Sequence, residues 1–235
     1  MSMGYTPIHF SEEDRIFQTQ MRRFAENEVA PIANEIDRED RFPSEVIPKF
    51  GDLGLLQWSV PEEYGGPAGS LTKLCIAREE LARYSLSLSV MVGENGNGMA
   101  LPLLFAGTED QKQKYFPLLA KGRTLVAFAL SEPEAGSDAA ALRTRAVRDG
   151  GDWLITGSKI FVTCGPVADY VLVFARTNDA PRAKGVSAFI IDTSLPGVTR
   201  GSKNAKMGYN GATPNCDFFF EGVRVPADAM VGGDG

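Results

Sequence analysis

A chain of 235 residues with 43% hydrophobic and 23% charged residues has the composition of a folded globular protein, which excludes a disordered chain or a coiled coil. Its formal net charge of −6, from 24 basic and 30 acidic residues, offers no basic surface to nucleic acid. No apolar run approaches the ~20 residues of a membrane helix, and the N-terminus lacks a signal-peptide pattern, so we expect a cytoplasmic protein without a membrane span.

Cysteine and histidine usage excludes several kinds of site. Cys75, Cys164 and Cys216 are widely spaced and form no Cys-x-x-Cys pair. We therefore expect buried free thiols, with neither a disulfide nor a zinc site. The single histidine, His9, cannot supply a multi-histidine metal site or the Ser-His-Asp arrangement of many hydrolases. No metal site is predicted.

The first half of the chain has helical periodicity. Ser11 with Asp14, and Thr108 with Gln111, are capping-box patterns that each predict the start of a helix. The second of these helices should end near Gly122. Further helical segments are predicted after Pro31 and at residues 46–53 and 71–83. Residues 85–90 alternate serine with apolar residues as a strand does, but their helical neighbours favour a helix there.

From Thr124 onward the hydrophobic period changes to two residues, which is typical of strands. The predicted strands cover residues 125–130, 143–148, 153–156, 159–163, 170–177, 187–192 and 216–220. The clearest hairpin turn is Asp-Gly-Gly-Asp at residues 149–152. Short antiparallel strands after a helical block predict an α+β chain, with an N-terminal helical bundle domain at residues 1–122 and a β-barrel or β-sandwich middle domain at residues 123–235.

One turn between predicted strands carries residues that suit ligand binding. Residues 131–138 read Ser-Glu-Pro-Glu-Ala-Gly-Ser-Asp and directly follow the apolar strand that ends at Leu130. Hydroxyls and small residues at a strand end let backbone N–H groups converge on an anion or on the edge of a heterocycle. The same octapeptide is also typical of an ordinary polar turn in which Asp138 caps a short helix. Both interpretations remain open on these residues alone.

Several blocks along the chain resemble, in order, those of the acyl-CoA dehydrogenase family. The blocks are Pro-Glu-Glu-Tyr-Gly-Gly at 61–66, Gly-Thr-Glu-Asp-Gln-Lys-Gln-Lys-Tyr at 107–115, Ala-Leu-Ser-Glu-x-x-Ala-Gly-Ser-Asp-x-x-Ala at 129–141, Gly-Ser-Lys-Ile-Phe-Val-Thr at 157–163, Lys-Met-Gly at 206–208 and Phe-Glu-Gly-Val-Arg-Val-Pro at 220–226. The block at 129–141 reproduces the family's first signature throughout. The resemblance spans nearly the whole chain.

The resemblance implies a FAD-dependent enzyme that desaturates the α,β bond of an acyl-CoA thioester, with hydride transfer to flavin N5. It also implies an electron-transfer flavoprotein as electron acceptor and a homo-oligomer. The implied cofactor contacts are Phe128, Leu130, Ser131, Gly136, Ser137, Phe161 and Thr163. The implied substrate contacts are Ser137 and, on a helix over residues 85–104, Glu94, Asn97 and Gly98. Residues 94–98 are also consistent with a surface turn, because Gly and Asn disfavour a helix interior.

The family's general base is a glutamate of a helical C-terminal domain, and no residue of this chain matches it. We therefore predict no catalytic residue here and expect the 235 residues to lack that domain. Asn210 stands where many relatives carry an arginine. Three alternatives are a non-catalytic FAD- or CoA-binding subunit completed by a partner chain and, on the same architecture, an acyl-CoA oxidase or a flavin monooxygenase.

Overall fold

The computed structural model describes residues 10–67, 69–209 and 211–233, so that His9 and Asn210 lie outside the described residues. The α-helices are α1 (Glu12–Phe24), α2 (Ala30–Glu39), α3 (Ile47–Asp52), α4 (Leu71–Ala82), α5 (Leu86–Asn95), α6 (Leu101–Ala106) and α7 (Glu109–Ala120). The strands are β1 (Val126–Ala129), β2 (Arg145–Asp149), β3 (Asp152–Thr163), β4 (Tyr170–Arg176), β5 (Val186–Asp192), β6 (Val198–Lys203) and β7 (Asn215–Pro226). The predicted order of helices followed by strands is confirmed.

Two helices of the N-terminal part contain a π turn shortly before a proline. α1 continues into α2 through the π turn Ala25–Val29, ahead of Pro31, and α5 continues into α6 through the π turn Gly96–Ala100, ahead of Pro102. Proline lacks an N–H group and its ring clashes with a carbonyl of the preceding turn, whereas the wider π turn lets the helix continue. Pro31 therefore lies inside a continuous helix and does not open a new one, contrary to the prediction.

Both predicted capping boxes form. The Ser11 hydroxyl accepts a hydrogen bond from the Asp14 N–H at 3.1 Å, and the Asp14 carboxylate accepts one from the Ser11 N–H at 3.1 Å. Thr108 and Gln111 repeat the arrangement at 3.2 and 3.0 Å. The helix that Thr108 opens is α7, and the chain leaves it through Gly122, whose φ is 62°. These local patterns were sufficient to predict where the two helices begin.

The strand-like alternation at residues 85–90 is part of helix α5. Ser85 caps the helix by accepting from the Leu88 N–H at 3.3 Å, and the Ser89 hydroxyl donates to the Arg78 carbonyl of α4 at 2.8 Å. Small hydroxyl side chains thus let α5 lie close to the backbone of α4. The prediction of a helix with serines at a close backbone contact is confirmed.

The prediction of buried thiols is confirmed for Cys164 and Cys216 but is wrong for Cys75, which is exposed. Burial raises the pKa of Cys216 to about 11 and also raises the pKa of Cys164. The buried stripe of α4 includes Leu74, Ala77 and Leu81. Cys75 lies outside this stripe, because the next residue along a helix points about 100° away from its neighbour.

The strands form one mixed sheet in which β1 and β2 share an edge of β4. β5 pairs with the whole of β4 from one side, so β1 and β2 lie on the other side. β1 pairs in parallel with residues 170–173, and β2 meets β4 in parallel at Arg176. These two parallel pairings differ from the prediction, which had only antiparallel strands. Beyond β2 the order continues through β3 and β7 to β6. The result is a fork in the sheet between β1 and β2.

Several strand predictions differ from the structure, and the strand predicted at residues 216–220 covers only part of β7. The segments predicted at residues 153–156 and 159–163 are one strand, β3, which stays paired with β7 across two register shifts. β6 was not predicted, because it contains Gly201 and is partly or fully exposed along its length, so it lacks an alternating pattern. No helix within the described residues is long and apolar enough to cross a lipid bilayer. The domain division at residue 122 stays a prediction.

Candidate functional site

The fork between β1 and β2 leaves backbone groups without strand partners, and two charged side chains take the place of those partners. The Glu132 carboxylate accepts hydrogen bonds from the N–H groups of Arg143 at 2.5 Å and Thr144 at 3.0 Å. The Lys159 ammonium donates to the carbonyl of Leu130 at 3.1 Å and to Glu132 Oε1 at 2.7 Å. The Glu132–Lys159 pair thereby satisfies polar groups that a continuous sheet would have paired.

The Glu132–Lys159 pair is almost completely buried, with 6% of the glutamate and 0% of the lysine side chain exposed. Burial favours the neutral carboxyl, but the hydrogen bonds from Lys159 and from the two amides outweigh it, so the pKa of Glu132 lies below its ordinary value. Burial lowers the pKa of Lys159, and Glu132 opposes that shift. Each charge depends on the other, because one alone would be buried without a counter-ion.

Strand β3 bulges next to this pair and presents an aromatic side chain. The register with β7 shifts within residues 159–162, and Phe161 adopts a left-handed backbone with φ of 58°. Such a φ is uncommon for a bulky residue. The Ile160 N–H donates to the Ser131 carbonyl at 2.9 Å, and the Phe161 N–H donates to the Asp217 carboxylate at 3.2 Å. The bulge is thus anchored at two points while the Phe161 side chain stays 66% exposed, an arrangement that recurs next to binding sites.

A cleft of about 620 Å³ opens between the end of β1, the β3 bulge and the helix formed by α5 and α6. The residues that line it are Glu94, Asn97, Leu101, Pro102, Phe105, Phe128, Leu130, Ser131, Ile160, Phe161 and Thr163. Most of these side chains are apolar, and a few polar groups lie among them. This composition is typical of a site for an organic ligand.

The cleft brings together most of the contact residues that the sequence predicted. Gly136 and Ser137 lie in the exposed turn after Ser131 and do not line the cleft. Gly98 lies against β1, where a Cβ atom would come within 3.0 to 3.2 Å of Val126. Gly98 therefore lets the helix approach the sheet, which explains why glycine suits this place. Residues 94–98 are helical, so the surface-turn interpretation is wrong. Ligand contacts at Gly98, Gly136 and Ser137 stay a prediction.

Sequence reasoning missed four lining residues: Leu101, Pro102, Phe105 and Ile160. A signal for two of them was present, since Asn97, Leu101 and Phe105 recur every four residues and so share one helix face. Phe105 is 82% exposed, which is unusual for a large aromatic side chain. Ile160 had no such signal, because its access to the cleft depends on the bulge.

Polar donors without partners lie along the cleft. The backbone N–H groups of Leu130 and Ser131 find no acceptor among the described residues, and neither does the Ser131 hydroxyl. The Thr163 hydroxyl has only a 3.5 Å contact, with the Asn215 side-chain amide. Since buried or half-buried N–H groups are rarely left unpaired, these donors suit a ligand with acceptor atoms along one edge. The flanking aromatic and aliphatic side chains suit a flat ring.

The carboxylate on the helical wall of the cleft is Glu94, in the last turn of α5. Among the described residues no donor reaches it. Burial raises the pKa of Glu94, and the nearby Arg78 opposes that shift. The adjacent Asn95 links two elements, since its side-chain amide donates to the Thr124 carbonyl at 2.7 Å and accepts from the Val126 N–H at 2.9 Å. Asn95 therefore links the helix formed by α5 and α6, here called the cleft helix, to β1 and to Thr124 just before it.

We expect Glu94→Gln to raise the free energy of unfolding at pH 7 by on the order of 1 kcal/mol. The folded chain disfavours the ionised carboxyl, so the wild type loses stability as pH rises from below the ordinary glutamate pKa through the raised pKa of the folded state. Urea unfolding from about pH 4 to pH 8 should show the two proteins converging at the acid end. Glu221→Gln, on the exposed surface of β7, is the control. A difference that grows toward acid pH would contradict this expectation.

We expect Phe161→Gly to leave the free energy of unfolding unchanged or to raise it by up to about 1 kcal/mol, because glycine adopts a positive φ without strain. The matched control is Phe219→Gly, at an exposed phenylalanine of β7 whose φ is not positive. That control should lose about 1 kcal/mol, as glycine weakens a strand. Urea denaturation compares the two, and an equal loss in both would show that the bulge is unstrained.

Two family models match the chain. The acyl-CoA dehydrogenase N-terminal domain matches residues 11–123, and the acyl-CoA dehydrogenase middle domain matches residues 127–223. A curated relative, the short-chain specific acyl-CoA dehydrogenase of Clostridium acetobutylicum, is 40% identical over 97% of this chain and 60% of its own length. The chain thus spans about 60% of that relative.

Solved structures show the same likeness. Butyryl-CoA dehydrogenase from Megasphaera elsdenii superposes with a TM-score of 0.91 at 33% identity, covering 98% of this chain and 61% of the other. An acyl-CoA dehydrogenase from Bacillus anthracis, solved in complex with FAD, gives a TM-score of 0.85 at 31% identity, covering 98% of this chain and 40% of the other. The helices and the forked sheet are therefore shared with these proteins over nearly the whole described chain.

Proposed function

The chain belongs to the acyl-CoA dehydrogenase family, and from this we propose that it forms the cofactor and substrate cleft of a FAD-dependent enzyme that desaturates the α,β bond of an acyl-CoA thioester. The observation that carries the proposal is the cleft itself, where apolar walls enclose a row of unpaired donors. When bound, FAD supplies the acceptor for the hydride that leaves the β-carbon. The relative solved with FAD supports this choice of cofactor.

The cofactor contacts proposed for this chain divide by chemistry. Phe128, Leu130 and Phe161 supply apolar surface and exclude water from the ring. Ser131, through its N–H and its hydroxyl, and Thr163, through its hydroxyl, donate hydrogen bonds to the polar edge. A donor at that edge stabilises the more negatively charged reduced form more than the oxidised form, because hydrogen bonds to charged groups are about twice as strong.

The acyl chain is proposed to lie along the helical wall. Leu101 and Phe105 offer apolar surface, while Glu94 and Asn97 make the wall polar toward its other end. Gly136 and Ser137 are proposed to meet the phosphate-bearing parts of the cofactor and of CoA from the exposed turn, where small residues leave the backbone accessible. We propose no general base among the residues of this cleft. An electron-transfer flavoprotein as electron acceptor and a homo-oligomeric assembly complete the proposal.

The test is equilibrium titration of the protein with FAD, followed by flavin fluorescence and absorbance. We expect saturable binding and a shift of the flavin absorption bands when an acyl-CoA is added. Thr163→Val should retain oxidised FAD but lower its reduction potential, because a donor to the reduced edge is lost. Thr199→Val, on the exposed edge strand β6, is the control. Absence of saturable FAD binding would contradict the proposal.

A further inference from the structure

The carbonyl of Leu130 and the N–H of Ser131 belong to the same peptide group, and the two ends of that group meet different partners. The carbonyl end accepts a hydrogen bond from the Lys159 ammonium at 3.1 Å. The N–H end has no acceptor among the described residues and belongs to a residue that lines the cleft. This peptide group therefore lies between a buried cation and the space for the ligand.

We propose that Lys159 and Glu132 are positioning residues that hold and polarise this peptide group, so that the Ser131 N–H donates more strongly to the ligand. A cation on the carbonyl draws electron density toward the oxygen and leaves the N–H more positive, since hydrogen bonds in series strengthen each other. The inference rests on the proposed function, because the ligand acceptor is taken to be the polar edge of the flavin.

The pair also fixes the geometry of the loop at both ends. The loop between β1 and β2 covers residues 130–144. At its end, just before β2, the Glu132 carboxylate accepts hydrogen bonds from the amides of Arg143 and Thr144. At the start of the loop, the Lys159 ammonium donates to the Leu130 carbonyl, and the Ile160 N–H of β3 donates to the Ser131 carbonyl at 2.9 Å. The first and last residues of the loop are thus tied to one buried ion pair. A change in that pair is expected to move the donors of the cleft.

Stability alone does not explain a lysine that is 0% exposed. A buried ion pair contributes little net stability, since the loss of hydration offsets most of the attraction, and apolar side chains of similar size often replace such pairs without loss. Lysine and glutamate differ from such replacements in one respect: they supply a charged donor to the Leu130 carbonyl and a charged acceptor to two amides. These charged hydrogen bonds all go to backbone groups of the loop beside the cleft.

The test is the double variant Lys159→Met with Glu132→Gln, which removes both charges and leaves neither one buried alone. We expect its FAD dissociation constant to rise by about tenfold, because the Ser131 N–H then donates more weakly and is no longer held in place. The reduction potential of the bound flavin should fall, because a weaker Ser131 donor stabilises the reduced form less. Hydrogen exchange at the amides of Arg143 and Thr144 should become faster.

The matched control is Arg22→Met with Glu80→Gln, which removes an ion pair of 2.8 Å with a buried carboxylate in the helical part of the chain. That control should leave FAD affinity, flavin potential and exchange at the loop unchanged. Equal effects in both double variants would overturn the proposal, as would an unchanged potential in the Lys159→Met, Glu132→Gln protein. If the wild type bound no FAD, the proposed function would fail. The exchange measurement would then still decide, since unchanged protection at Arg143 and Thr144 would refute positioning by the pair.

Discussion

Lys159→Met alone is expected to lower the free energy of unfolding by about 3 to 5 kcal/mol. The substitution leaves the Glu132 carboxylate buried without its cation, and the Leu130 carbonyl loses its donor. Both groups would be only partly rehydrated at the fork of the sheet. Urea denaturation at pH 7 measures the loss.

A double-mutant cycle provides the control for this expectation. Adding Glu132→Gln to Lys159→Met should recover part of the lost stability, because the neutral amide needs no counter-ion. The two single losses should therefore sum to more than the loss of the double variant. Additive losses would mean that the two charges do not depend on each other in the folded chain.

Asn95→Ala is expected to lower the free energy of unfolding by about 2 to 4 kcal/mol. The substitution leaves the Thr124 carbonyl and the Val126 N–H without their partners at 2.7 and 2.9 Å, in a place where Asn95 is only 4% exposed. Because these bonds join the cleft helix to β1, FAD affinity should fall as well. Denaturant unfolding and FAD titration of the same protein preparation measure the two effects.

Asn97→Ala is the matched control for stability, since Asn97 lies two residues along the same helix and is exposed. Its loss should stay within about 0.5 kcal/mol. Similar losses at Asn95 and Asn97 would show that the link to β1 does not determine the effect, since alanine has the higher helix propensity and cannot cause a loss by itself. Asn95 thus reports on the stability of the fold, whereas Asn97 reports on the surface of the cleft.

Features that depend on neighbouring residues could be predicted from the sequence. A capping box involves four consecutive positions, so Ser11 and Thr108 identified two helix starts correctly. The change of hydrophobic period near Thr124 separated helices from strands, since each period reflects the geometry of one element. The ordered sequence blocks, through the family resemblance, predicted Ser131, Phe161 and Thr163 as cofactor contacts, and all three line the cleft.

Features that depend on long-range pairing could be determined only from the tertiary structure. Lys159 lies among strand residues and its sequence environment is that of a solvent-facing lysine, yet it is completely buried. Its burial follows from the fork of β1 and β2 on β4, which joins residues 44 positions apart in the β1–β4 pair and 31 positions apart in the β2–β4 pair. The left-handed Phe161 and the access of Ile160 to the cleft follow from the register shift against β7. Hydrophobic periodicity reports which face of an element is apolar, whereas the fork and the bulge arise from where distant strands meet, and that information is absent from any short stretch of sequence.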